Sequence, residues 1–298
     1  MDTATVTHQF TVQDVEYLRH GAKPLLMRLF TPDGKGPFPA VVELHGGAWC
    51  NGDRTGEHAR HEALAKGGLV VAALDFRQGR EGAYPLGVSD INYAIRWLKA
   101  HAKEHKIAAD AVAVSGRSSG GHLAMLTALR PKDPRYTATA LPPGSPAVDA
   151  SVRCVAMSWP VINPLSRYRH AVRARDKGES WAPSIIQNHL DFWGGEANMA
   201  EGSATLILER GEKAALPPAL WIQAPNDNMH DYRDPDGTFD GNEPQRFVAA
   251  YKKAGGAIDL VYYDAPLRFT SVQPGSAVSQ QAFARLVDFF HKHMPVAR

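Results

Sequence analysis

The stretch from Ala111 to Ala124 reads AVAVSGRSSGGHLA, and it decides the fold. Ala111 to Ser115 is a short, continuous apolar run, the pattern of a strand buried on both faces. From about Gly121 to Leu129 the pattern becomes that of a helix. Between them, Gly116-Arg117-Ser118-Ser119-Gly120 matches G-x-S-x-G. The bare pattern is common, but here it has the context it needs, a strand before and a helix after. Its glycines suit a sharp, strained turn where bulkier neighbours would clash. Such a turn holds the Ser118 hydroxyl at a helix N-terminus, where the helix dipole favours negative charge. Ser118 is therefore the candidate nucleophile.

Working outward, strands and helices alternate. Phe10 to Leu18 and Lys23 to Thr31 read as strands joined at His20-Gly21. Ala40 to Leu44 is a short apolar strand running into His45-Gly46-Gly47. A helix over Gly56 to Lys66 and a buried strand over Leu69 to Leu74 follow. Ile91, Ala94, Ile95, Leu98 and Ala102 recur at helical spacing between Val88 and His105. Beyond the central stretch, Val152 to Ser158, Ala219 to Ala224 and Leu260 to Tyr263 read as strands, and Ser279 to His293 as the last helix. This alternation predicts an α/β fold, a mostly parallel central sheet flanked by helices. We expect one domain over residues 1–298. Residues 160–216 break the alternation and are expected to form a small cap insertion over the active-site edge.

The composition is that of a globular chain of 298 residues, 44% hydrophobic and 21% charged, with a net charge of +2. Neither nucleic acid nor a membrane surface is expected as a partner. Cys50 and Cys154 match no zinc or redox spacing and read as free thiols in a reducing compartment. Met1 to Thr5 lacks a basic region followed by an apolar stretch, and no apolar run approaches the roughly 18 residues of a membrane span. A cytoplasmic location is the expectation. With no phosphate-cradling glycine loop and no H-E-x-x-H, neither cofactor nor metal is expected.

Acyl transfer needs backbone N–H groups aimed at a developing oxyanion. In His45-Gly46-Gly47-Ala48-Trp49 two glycines allow the close approach this requires. The expected donors are the amides of Gly46, Gly47 and Ser119. His45 reads as a buried structural residue. Trp49, Arg117 and Trp159 are the candidate pocket residues. Trp49 either walls the pocket or packs, and Arg117 either faces the site or pairs with an acid inside. Arg167, Arg169, Arg173 and Arg175 crowd the insertion together with Trp181 and Trp193. They read foremost as a solvated helix face, with a pocket for an aromatic or anionic acyl group as the alternative.

The series His45-Gly46-Gly47-Ala48-Trp49, Asp75-Phe76-Arg77, Tyr84-Pro85, Asp90, Arg96-Trp97-Leu98 and Gly116 to Ala124 resembles the α/β-hydrolase family of hormone-sensitive-lipase-like carboxylesterases and bacterial feruloyl-esterase-like enzymes. The resemblance is dense from about Pro37 to Leu129, thin in the insertion, and returns near Pro217. It implies the α/β-hydrolase fold and cleavage of small-molecule carboxylic esters through a Ser118 acyl-enzyme. It also implies Asp227, at the end of a late strand, as the acid that orients a histidine. Ser119 stands where the family usually has alanine, a small change, because the backbone N–H is what matters there. A homodimer is an assembly such folds adopt.

The family's base should follow the last strand in a segment like gly-x-His-x-Phe. This chain reads Ala265-Pro266-Leu267-Arg268-Phe269, so Leu267 occupies the expected-base position. Leucine cannot take a proton, and losing a triad histidine typically costs roughly 10⁴- to 10⁶-fold in turnover. Four explanations stand: an engineered or base-deleted variant; another histidine, His230 being nearest in sequence to the acid; a slipped alignment; or a ligand-binding pseudoenzyme. Proton or acyl transfer without hydrolysis is a further alternative.

Overall fold

The computed structural model describes residues 7–234 and 236–296. Met1 to Thr5, read above for a targeting signal, lies outside them. The chain runs β1 (Phe10–His20), β2 (Lys23–Pro32), β3 (Phe38–Leu44), α1 (His58–Lys66), β4 (Val70–Leu74), α2 (Leu86–Ala100), β5 (Ile107–Arg117) and α3 (Ser119–Leu129). It continues β6 (Val155–Ser158), α4 (Pro164–Asp176), α5 (Ala182–Trp193), α6 (Glu196–Glu201), α7 (Ala204–Glu209) and β7 (Ala219–Gln223). It closes with α8 (Glu243–Lys253), β8 (Ile258–Tyr262), α9 (Phe269–Val272) and α10 (Ala277–His293).

The strands form one sheet of eight in the order β1-β2-β4-β3-β5-β6-β7-β8. β1 and β2 are an antiparallel hairpin, β2 joins β4 antiparallel, and from β4 to β8 every pairing is parallel. Parallel strands are covered on both faces, which is why β4 is buried at every position. Alternate residues of β3 go to opposite cores. Ala40, Val42 and Leu44 face the side carrying Ile91, Ile95, Leu123 and Leu126 of α2 and α3. Val41 faces the side carrying Leu64 of α1 and Phe283, Leu286 and Phe290 of α10.

Between β6 and β7, where the alternation of the sequence fails, stand four helices, α4 to α7. Helix α8 escapes the sequence reading. Its start is set by a capping box in which the Asn242 side chain accepts from the Gln245 amide and the Gln245 side chain from that of Asn242. Among the described residues no helix is long and apolar enough to cross a membrane.

Candidate active site

The turn between β5 and α3 is as sharp as its glycines suggest. Ser118 sits at φ 50°, ψ −121°, a region non-glycine residues rarely occupy. A Cβ on Gly116 would come within 2.6 Å of the Gly120 backbone. One on Gly120 would come within 2.3 Å of the carbonyl oxygens of both Leu44 and His45. The surroundings hold the strained residue in place. The Ser118 amide donates to the Ser158 carbonyl at 3.0 Å, and its own carbonyl accepts from the amides of His122 and Val161, each at 3.1 Å.

The side chain that meets Ser118 is His230. Its Nε2 lies 2.9 Å from Ser118 Oγ, and its Nδ1 lies 2.9 Å from Asp227 Oδ2. Beyond β7 the chain closes a tight turn in which the Asp227 carbonyl accepts from the amides of His230 (3.0 Å) and Asp231 (2.6 Å). Asn226, at φ 61°, starts the reversal. Residues three apart in a helical turn share a face, so Asp227 and His230 project together toward the nucleophile. The expected-base position therefore needs correcting. Leu267 lies on the rim of the same cavity, 39% exposed, while a histidine from a different loop reaches the serine. The signal was present as Asp-x-x-His, but only the closed turn shows that it folds back over Ser118.

Both partners are buried, at 2% exposure for Asp227 and 7% for His230. Burial pushes the His230 pKa down against the pull of Asp227, and the guanidinium groups of Arg167 and Arg268 push it further, leaving it below 6.5. The imidazole is then neutral and able to accept a proton. Burial works to raise the Asp227 pKa, but the charge and hydrogen bond of His230 and the Met229 amide outweigh it, and the carboxyl stays ionised. As an acceptor at Nδ1, Asp227 keeps the His230 proton there and leaves Nε2 open toward Ser118.

The loop after β3 approaches closely. A Cβ on Gly46 would lie 3.3 Å from the Ser118 Cβ, and Gly47, at φ 112°, has no room for one, since it would meet the Asn51 carbonyl oxygen at 1.9 Å. The amides of Gly46 and Gly47 donate to no backbone carbonyl among the described turns and loops, and that of Ser119 belongs to the first turn of α3, whose N–H groups have no partner within the helix. His45 is structural: buried, stacked on Phe76 at 4.5 Å, with Nδ1 2.8 Å from the Gly46 carbonyl.

Two pocket expectations are corrected. Trp49 is 1% exposed and packs among Phe192, Trp193, His189 and His122, fastening α5 to the loop rather than walling the cavity. Trp159 is equally buried, against Phe269 behind the strand ends. Neither lines the cavity around Ser118. Arg117 does line it, and is at the same time ion-paired with Glu57. The cavity measures about 570 Å³. Arg167 of α4 and Ile185 and Asn188 of α5 complete its wall, together with Met229 and Arg268. Of these five only Arg167 has a pocket role in the sequence reading, as the alternative to a solvated helix face; Ile185 and Asn188 lie in an insertion without a template, which gives no register for its inward face. Among the described residues no group of three or more His, Cys, Asp or Glu side chains could hold a metal ion.

Comparison with known proteins bears on the family and the fold. The BD-FAE family pattern matches residues 27–180, just over half of the chain. The chain belongs to the BD-FAE family. Among curated relatives, a probable carboxylic ester hydrolase, LipM, of Mycobacterium tuberculosis is 34% identical over 132 residues, 44% of this chain and 30% of that protein. An arylesterase of Saccharolobus solfataricus is 33% identical over 125 residues, 42% of this chain and 41% of that one. The chain thus matches well under half the length of these relatives. Among solved structures, a hyperthermophilic esterase of the archaeon Pyrobaculum calidifontis superposes with a TM-score of 0.71 at 20% identity, covering 96% of this chain and 87% of the other. A bacterial heroin esterase superposes with a TM-score of 0.72 at 19% identity, covering 99% and 87%. These similarities show that this BD-FAE chain has the α/β-hydrolase fold.

Proposed function

We propose that this chain is a carboxylesterase-type serine hydrolase working through a Ser118 acyl-enzyme, with His230 as its base. The observation that carries the reading is the continuous relay Ser118 Oγ to His230 Nε2, then His230 Nδ1 to Asp227, at 2.9 Å in both steps. The base-deleted and pseudoenzyme readings both arose from Leu267, and with His230 against the serine they lose their motive.

In the first step His230 Nε2 takes the Ser118 proton while Oγ attacks the ester carbonyl carbon. The carbonyl oxygen becomes an oxyanion facing the amides of Gly46 and Gly47 in the loop after β3 and of Ser119 at the N-terminus of α3. Asp227 stabilises the imidazolium that forms. Collapse expels the alcohol, which takes the proton from Nε2. Water then repeats the sequence on the acyl-enzyme, with His230 as base, and releases the acid. Several esterase relatives and the intact relay support this scheme.

The test is covalent. A fluorophosphonate probe should add to the wild-type chain at Ser118, shown by mass spectrometry of the peptide, and not to Ser118→Ala. The same preparation should hydrolyse short-chain p-nitrophenyl esters. Absence of both adduct and hydrolysis would sink the reading.

A further inference from the structure

The four arginines of α4 do not share a fate. Arg169 pairs with Glu196, Arg173 with Asp234 and Asp236, and Arg175 with Asp176, as expected of a solvated helix face. Arg167 is on the other face. It is 2% exposed, it lines the cavity that holds Ser118, and its Nε and Nη1 are buried without a hydrogen-bond partner. Among the described residues no carboxylate pairs with it. The Trp181 ring lies 5.9 Å from the guanidinium carbon, and the Asp227 charge acts on it without a direct ion pair.

Arg60 shows what this chain does with a guanidinium buried for structure alone. It is also 2% exposed, and its three nitrogens reach Glu43, Ser158 and Ser115. A buried charge left unpaired is costly, so Arg167 lacks a partner that the folded chain does not supply. The rest of the cavity points the same way. Arg117 is taken by Glu57, Arg268 adds further positive charge at the rim, and the one lining carboxylate, Asp227, is engaged by His230. The site therefore presents an unneutralised positive charge beside the nucleophile.

We propose that Arg167 is the anion-binding element of this pocket, and that the preferred substrates are esters carrying a second, unesterified carboxylate. This rests on the esterase reading above. The planar guanidinium fork matches a carboxylate in two parallel hydrogen bonds. Ile185, Met229 and Leu267 give the cavity apolar surface for the short chain linking carboxylate and ester. A substrate carboxylate that reaches the guanidinium from the cavity supplies the partner the fold withholds, and the same contact fixes the distance from carboxylate to scissile carbonyl.

The experiment compares mono-p-nitrophenyl glutarate with p-nitrophenyl pentanoate, similar in length and differing in charge. In the wild type kcat/KM should favour the glutarate ester by about tenfold or more, and Arg167→Met should cut that ratio by about tenfold. A ratio that Arg167→Met leaves unchanged overturns the proposal. If Arg167→Met does not fold, Arg167→Lys, which keeps the charge without the fork, should lower the ratio, and free glutarate should competitively inhibit pentanoate hydrolysis by the wild type. No inhibition overturns the proposal. To separate this from the esterase reading, glutarate and inorganic phosphate are titrated calorimetrically into Ser118→Ala, which cannot be acylated. Glutarate binding that Arg167→Met abolishes in that background supports the anion site even if no ester is cleaved, an outcome that would sink the esterase reading alone. Phosphate binding without glutarate binding, or no binding of either, overturns the carboxylate assignment while leaving hydrolysis of neutral esters standing.

Discussion

At the scale of residues, the account turns on a turn. Asp227 and His230, the proposed acid and base, are three positions apart on one loop. Asp227→Asn keeps the shape but removes the charge that orients the imidazole and stabilises its protonated form. It should lower kcat by about 10⁴-fold with little change in KM, measured on a neutral p-nitrophenyl ester. Leu267→His, in contrast, should change kcat by less than about threefold, because a base already reaches Ser118. Ser118 and the glycines of its turn are legible in the sequence because the strained turn demands them, whereas Asp227 is legible only through the family resemblance and its place after a late strand. The base is not. Asp-x-x-His is visible as a string, but whether its turn closes over β5 depends on where β7 ends relative to β5, which is a property of the assembled sheet.

At the scale of elements, the insertion between β6 and β7 is joined to the core through aromatic packing. Trp49, on the loop after β3, stacks on Phe192 and meets Trp193 and His189 edge-on, so one residue ties α5 to the loop that carries Gly46 and Gly47. Trp49→Ala should cost about 3–5 kcal/mol, read from urea unfolding. It should also raise KM, because Ile185 and Asn188 of α5 wall the cavity. A stability change below about 1 kcal/mol would show that α5 is held by other contacts. The β-α alternation was readable because burial on both faces writes itself as apolar runs. The insertion was not, since α6 and α7 are only six residues long, too short to show a period, and Arg167 differs from its neighbours only in the direction it faces.

For the whole molecule, several histidines are folded in as neutral groups. Burial first, helped by nearby positive charge, pushes His61 and His189 down to about 3, and burial pushes His122 to about 4. In the unfolded chain each titrates near 6.5, so as pH falls below that value the unfolded state gains protons that the native state refuses. Stability should be flat from pH 8 to 7 and then fall, by on the order of 1 kcal/mol per histidine for each pH unit. Urea midpoints at pH 8, 6 and 5 check this, and a midpoint that holds or rises at pH 5 would contradict it. Activity has its own acid limb. His230 must be neutral to act, and its depressed pKa places the fall in kcat/KM below pH 6.5. That limb is to be read within the pH range where the fold persists.

The measurement that bears most directly on the central claim is steady-state hydrolysis of p-nitrophenyl butyrate by the wild type, Ser118→Ala and His230→Gln, each first shown to be folded. The account predicts that the wild type turns over and that His230→Gln falls by about 10⁴-fold or more, to a level comparable with Ser118→Ala, because the two residues act as a unit. A His230→Gln protein that keeps most of the wild-type rate while Ser118→Ala loses it would contradict the account and place the base elsewhere.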